Sequence, residues 1–564
     1  MHGLPQIMKS KPVCRPNFSA LLAALVALGI ATHAGAASPN EERSLDELRN
    51  TVINLLQGLV ERGVLSRDQA AEMVSEAQEK AATDAAAQAV QDAEEAGAVR
   101  VPHVPEIVKE EIRRQVAADL GADVTKQVVD AAQAEGWGVP AALPDWVKRM
   151  RWYGDVRLRA QGDLFAADNS TSAYYNYQLV NERGGIGAAG VAAALNTTED
   201  RQRLRGRLRF GFESVLGYGW NMGAQLATGN LRDPVSTNQT LGNYAARYQS
   251  GVDLAYLNWQ GASRTGRHAL GLQGGRIRNP WITTDLVFDQ DLTFEGVAAN
   301  YRFGLRRDDY TGSYAFATVG AFPLQEVEIG SDKWLFGGQL GVNWKFADNS
   351  RIRLAAALLD FRRVAGEPNA FGSTLNDYTA PQYLQKGNTL FDIRNDSDPN
   401  TNLFALASDY RLLDFNTSFE WRLTPGVRFT WYGNYVRNIG FNVAQVQSRL
   451  LVPVEKRNKG YQTEFGVGSV DMARHNAWRF YAGYRYVERD AVLDAFTDSD
   501  FRLGGTDAKG YFAGFDWALT PMVQARMRYM SGNEIDGPVS LLPGLSLDPA
   551  LGIDVLQLDI TASF

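Results

Sequence analysis

MRWYGDVRLRAQGD, residues 150–163, is the stretch that decides the fold. On an extended chain Trp152, Gly154, Val156, Leu158 and Ala160 share one face, while Tyr153, Asp155, Arg157, Arg159 and Gln161 share the other. A period of two over this length marks a strand with one apolar and one polar side. RLRGRLRFGF, residues 203–212, repeats the pattern, setting Leu204, Leu208, Phe210 and Phe212 opposite Arg203, Arg205, Arg207 and Arg209.

Comparable segments follow near 220–229, 251–260, 269–278, 292–303, 313–322, 332–346, 351–362, 409–421, 427–437, 460–470, 477–489, 509–518, 523–531 and 553–564, which makes sixteen strands. Those near 251, 269, 292 and 313 alternate poorly. Short connections, such as Gly217-Tyr218-Gly219, 347–350, 422–426, 471–476 and 520–522, take turns with long ones at 166–199, 230–250, 363–408, 438–459, 490–508 and 532–552. Two longer members of the short class are 261–268 and 304–312. Outer-membrane barrels have short turns at one end and long loops at the other, with an even strand number. A soluble sandwich has no reason to alternate loop length in this way. The expected fold is a sixteen-stranded antiparallel outer-membrane β-barrel, an all-β transmembrane protein.

Composition agrees. The chain of 564 residues is 45% hydrophobic and 21% charged, with mean hydropathy -0.26, 54 Gly, 22 Tyr, 26 Phe and 12 Trp. It is aromatic and glycine-rich without being hydrophobic overall, because only every second barrel residue meets lipid. Beyond one stretch near the start, no apolar run approaches the roughly 20 residues of a spanning helix, which excludes a multi-pass helical protein. Trp152, Trp220, Trp259, Trp344, Trp421, Trp478 and Trp517 sit at strand ends beside short turns, where an interfacial girdle belongs.

The early apolar stretch reads as a signal peptide over residues 1–36. Lys9, Lys11 and Arg15 precede an apolar core from Phe18 to Ile30, and Ala34-Gly35-Ala36 sets cleavage between Ala36 and Ala37. The only cysteine, Cys14, leaves with it, so no disulfide or cysteine metal site is expected. Residues 37–149 carry a net charge of -9 and read as a periplasmic helical region, against -1 for the barrel over 150–564. Leu45, Leu48, Val52, Leu55 and Leu59 form one helical stripe, which fits a trimeric coiled coil or a helical hairpin.

LVERGVLSRDQAAEM (59–73), VRVPHVPEIVKEEIRRQV (99–116), LPDWVKRMRWYGDVRLRAQGD (143–163) and GGRIRNPWITTDLVFDQDLTFEGV (274–297) resemble the porin family of Gram-negative bacteria that pairs an N-terminal periplasmic helical region with a barrel. The resemblance implies diffusion of small polar solutes or ions through a homotrimer in outer-membrane lipid. It implies no catalytic residue and no cofactor. The last strand places Leu556, Leu558, Ile560, Ala562 and Phe564 on one face, and a terminal Phe there resembles the signal read by the barrel assembly machinery.

Rival functions are weighed against this. A hydrolase needs a placed general base, usually histidine. Only His103, His268 and His475 follow residue 36, the last two in short turns away from the long loops. No nucleic-acid partner is expected. Asp392 to Asn402 has oxygen ligands at alternate positions, but without the calcium-loop Gly and Glu it reads equally as Asx turns, and no metal is assigned. A structural or adhesive barrel, whose loops bind a partner and whose N-terminal helices tether the cell wall, is the alternative function.

Three site expectations follow. Residues 279–291, with Asp285, Asp289 and Asp291, should fold inward as a constriction loop facing basic strands. Arg157, Arg159, Arg203, Arg205, Arg207, Arg209, Arg351, Arg353, Arg479, Arg485, Arg526 and Arg528 should line the lumen, since Arg facing mid-bilayer lipid costs roughly 2–4 kcal/mol. A mild anion preference is expected unless Asp155, Glu213, Glu420, Glu464, Asp516 and Asp559 neutralise the row.

Overall fold

A computed structural model describes residues 149–171, 174–306, 309–398, 400–537 and 550–564. The signal peptide expected over 1–36 and the helical region expected over 37–149, with its coiled coil or hairpin, lie outside them. Among the described residues sixteen long strands form the wall. They are β1 (Met150–Phe165), β2 (Arg201–Gly217), β3 (Trp220–Thr228), β4 (Ser250–Ala262), β5 (His268–Arg278), β6 (Thr293–Arg306), β7 (Asp309–Gln325) and β8 (Lys333–Lys345). The remainder are β9 (Arg351–Arg362), β10 (Tyr410–Arg422), β11 (Val427–Asn438), β12 (Lys459–Ser469), β13 (Trp478–Val487), β14 (Ala508–Ala518), β15 (Val523–Glu534) and β16 (Ile553–Ser563).

Each strand pairs antiparallel with the next. The register from Asp155 opposite Ser563 to Phe165 opposite Ile553 joins β16 to β1 and closes the barrel. Closure leaves no open edge, the condition for a sheet to span lipid. Gly154 permits the seam to tighten at the chain end. A Cβ there would stand 2.5 Å from the Arg209 carbonyl oxygen and 2.7 Å from the Phe564 ring.

Face assignment follows the pleat. Val156, Leu158, Leu204, Leu208 and Phe210 are exposed on the outer wall, whereas Asp155, Arg157, Arg159 and Gln161 are buried inside. Trp152, Trp220, Trp344, Trp421, Trp478 and Trp517 are half-exposed at the short-turn end. The registers place Trp220 opposite Trp259 and Trp478 opposite Trp517. One connection differs from expectation. β6 runs to Arg306 and β7 starts at Asp309, so the link expected over 304–312 shortens to 307–308.

The interior is not an empty pipe. Toward the long loops it holds an apolar core in which Trp281, Leu286, Val287, Phe288 and Leu493 from loops pack against Phe294, Phe322, Leu359 and Phe361 from the wall. This core explains the weak alternation of β4 to β7. Tyr256, Ile277, Phe294 and Phe322 point inward to it, so the long-loop part of each inner face is apolar as well, although Asn258 and Thr318 keep polar positions farther along.

Candidate functional site: the lumen and its constriction

Strand pleat and register put the arginines of β1 and β2 in the lumen. Arg157 stands opposite Arg207, and Arg159 opposite Arg205. Like charges set directly opposite destabilise a sheet unless counter-charges reach them. Arg159 receives Asp559 at 2.7 Å and Asp500 at 3.0 Å. Asp155 takes both Arg207, at 2.7 Å, and Arg209, at 2.6 Å, and Asp163 takes Arg203 at 2.6 Å.

Elsewhere on the wall Arg485 pairs with Asp285 at 2.7 Å and Asp498 at 2.8 Å. Arg528 lies between 3.5 and 3.6 Å from Asp285, Asp498 and Asp500. Arg526 meets Asp516 at 2.5 Å, and Arg479 meets Glu464. Among the described residues Arg157, Arg205, Arg351 and Arg353 have no carboxylate within 4.0 Å, the ion-pair distance. Of the six acids expected to neutralise the row, Asp155, Glu464, Asp516 and Asp559 do so. Glu420 instead pairs with Arg428 at 3.1 Å, and Glu213 with the exposed Arg151 at 3.5 Å.

Residues 279–292, between β5 and β6, fold into the lumen and touch its walls on several sides. Ile282 exchanges two hydrogen bonds with Gln339 on β8, at 2.9 and 2.8 Å. The Thr284 hydroxyl donates to Asn434 on β11 at 2.6 Å, and Gln462 on β12 donates to Asp285 at 2.9 Å. Asp291 accepts from the Thr237 hydroxyl at 2.8 Å and faces Arg207 and Arg209 at 3.6 and 3.7 Å. Burial pushes the Asp285 and Asp291 carboxyls up. The adjoining arginines, Arg485 and Arg528 for the first and Arg207, Arg157 and Arg209 for the second, outweigh it and hold both below the usual range. Asp289 goes the other way: burial, with Asp498 and Asp291 beside it, raises it well above an ordinary carboxyl.

A second inward loop was not foreseen. The β13–β14 connection, 488–507, zips onto the first. Phe496 O accepts from Asp289 N at 2.8 Å, Asp498 N donates to Asp285 O at 3.0 Å, and Ser499 N donates to the Asp289 carboxylate at 3.0 Å. Buried Lys386, on the β9–β10 loop, donates to the carbonyls of Arg502, Leu503 and Gly504, each at 2.7 Å. The signal for this second loop was its apolar content: Val492, Leu493, Phe496 and Phe501 are too many for a solvated tip.

The interlocked loops separate a vestibule from a chamber. The vestibule, of about 700 Å³, lies toward the long loops and is bordered by Asp233, Asp253, Lys333, Tyr383 and Phe496. The chamber, of about 470 Å³, lies toward the short turns and is bordered by Arg157, Arg159, Arg207, Arg526, Asp291 and Asp559.

Other residues singled out from sequence sit as follows. Phe564 is on the outer face, exchanging backbone hydrogen bonds of 3.2 and 3.1 Å with Gly154. His268 bonds to Tyr301 at 2.7 Å and His475 to the Leu519 carbonyl at 2.6 Å, both at the short-turn end. In the 392–402 stretch Asp392, Asp396 and Asp398 accept backbone N–H bonds from residues 394, 398 and 400 at 2.9–3.0 Å, the Asx-turn arrangement. Among the described residues no cluster of His, Cys, Asp and Glu could hold a metal.

A closed sixteen-stranded barrel with an apolar exterior and a charged, loop-narrowed lumen defines an outer-membrane channel. The chain belongs to the family described as "Putative porin", whose model matches residues 49–564. It is an outer-membrane porin. Similar solved structures include the outer membrane channel DcaP of Acinetobacter baumannii, at 10% identity and TM-score 0.38, covering 74% of this chain and 97% of that one. The high-pH structure of Pseudomonas putida OprB is similar at 10% identity and TM-score 0.40, covering 76% and 97%. Salmonella typhi OmpF in complex with daunomycin is similar at 10% identity and TM-score 0.37, covering 74% and 97%. No curated protein sequence matches.

Proposed function

We propose that the channel passes small hydrophilic solutes and ions by passive diffusion, with a mild preference for anions. The supporting observation is the constriction, where two interlocked loops narrow a lumen lined by charge. Sixteen strands enclose more than side chains alone can fill. Anion preference is supported by the four guanidiniums without a carboxylate, since guanidinium stays charged at any physiological pH. Asp233 and Asp253 in the vestibule act in the opposite sense and keep the preference mild. The same reading makes the protein a non-enzymatic homotrimer. Its signal peptide is cleaved after Ala36, its 37–149 region stands in the periplasm, and Phe564 serves the assembly machinery.

Reconstitution in planar bilayers tests it. Discrete conductance steps are expected. A protein that inserts but stays electrically silent would instead favour the adhesive barrel.

A further inference from the structure

We propose that Arg157 anchors a saturable subsite for a small oxyanion, a carboxylate or a phosphate, in the chamber on the short-turn side of the constriction. The inference rests on the channel reading above and adds a binding step to it.

The register forces the site into being. Arg157 is locked opposite Arg207 and flanked along β1 by Arg159, so three guanidiniums converge on one patch of wall. The other two are provided for: Arg159 by Asp559 and Asp500, Arg207 by Asp155. Among the described residues Arg157 has only the Asn238 side-chain oxygen, which accepts from its Nη2. Its Nε is buried without a partner. No carboxylate lies within ion-pair distance of it among the described residues. The nearby acids have closer partners. Asp559 accepts from Arg159 at 2.7 and 2.9 Å, and Asp291 is held by Thr237 and faces Arg207 and Arg209.

An oxyanion has the geometry that such a site lacks. Guanidinium presents paired N–H donors that match the oxygens of carboxylate and phosphate, and these charge-assisted bonds are stronger than neutral ones. Arg157 borders the chamber, so a solute that has passed the loops reaches it without displacing a strand. Asp291 and Asp559 stand close enough to repel the occupant. That keeps residence brief, and conduction needs sites strong enough to fill and weak enough to empty. Asn238 fixes the guanidinium from the β3–β4 connection.

The test is single-channel current in potassium chloride with inorganic phosphate added at constant ionic strength, and acetate in a parallel series. In the wild type, phosphate should reduce the chloride current along a saturating curve. Arg157→Gln should raise the half-blocking concentration by about tenfold, the loss of one charge-assisted contact. Arg157→Lys, which keeps the charge without the fork, should raise it less and covers the case in which the Gln variant inserts poorly. Arg362→Gln, on the outer face of the remote β9 where it pairs with Asp360, should leave it within about twofold. Block by acetate as well as phosphate marks a general oxyanion site, and block by one alone names the class. Half-block unchanged in Arg157→Gln, or no saturation in the wild type, would overturn the subsite. A wild type without conductance steps would overturn the channel reading instead.

Discussion

Phe564 and Asp494 show what single side chains contribute outside the lumen chemistry. The Phe564 ring lies 6.3 Å from Phe210, which stacks on Trp152 at 5.3 Å, so the chain end joins the outer aromatic surface at the seam. Phe564→Ala removes a ring that remains half in contact with its surroundings, a stability loss of about 1 kcal/mol. If the ring also serves recognition, the yield of inserted protein should fall far more than that loss explains. Normal outer-membrane yield would reduce it to a packed terminal residue. Asp494, on the second inward loop, is fully buried with Oδ1 lacking a partner, and burial pushes its carboxyl up to about 7. An acid whose folded pKa is raised holds its proton more tightly when folded. Its contribution is therefore present below about pH 4 and lost as pH rises through about 7. Asp494→Asn should slow proteolysis of this loop at pH 8 and leave it unchanged at pH 4. Equal rates for both proteins at pH 8 would reject that. The facing of these side chains was legible because the pleat enforces a period of two. Their partners were not: Arg159 meets Asp500 across 341 positions and Asp559 across 400, and no local pattern encodes such pairings.

Among elements, the wall was legible and the loops only partly so. Sixteen strands, their order and the seam follow from alternation and loop length. β4 to β7 read weakly because their inner residues meet the apolar core in place of water. That residues 279–291 fold inward could be read from their acids and position, and whether they limit flow is what a deletion tests. The second loop escaped because inward folding depends on hydrogen bonds between two connections about 200 residues apart. This interlock sharpens the expected effect of deleting Ile282 to Phe288. The deletion removes buried Leu286, Val287 and Phe288, together with the Asp285 and Leu286 carbonyls that accept from Asp498 and Thr497. Both loops should loosen. Unitary conductance should rise and become noisier, while the closed wall, held by strand pairing, still inserts. Unchanged conductance in a correctly inserted variant would show that these residues do not limit flow.

For the whole molecule, the question is how a barrel of net charge -1 could favour anions. Net charge does not decide it, because much of the acid lies in loops or is bound to arginine. The local field at the constriction does, and there β1 and β2 set Arg157 and Arg207, and Arg159 and Arg205, directly opposite each other. Among the described residues Arg205 has only Gln161 and Ser236 as partners, each at 3.3 Å, while Arg207 shares Asp155 with Arg209 and faces Asp291. Arg205→Glu with Arg207→Glu exchanges two positive charges for two negative ones on this wall. It also leaves Asp155 with Arg209 alone, and Asp291 with Arg209 at ion-pair distance and Arg157 farther off. The field seen by a passing ion should shift toward cations, because charge on the wall of a narrow lumen is screened only over about 8 Å at physiological salt. In a salt gradient the wild type should give a reversal potential of the sign set by anion flow. The double variant should move it toward cation flow, and the shift should shrink as salt rises. Cation preference in the wild type, or a reversal potential untouched by the double substitution, would show that the paired carboxylates already cancel the row.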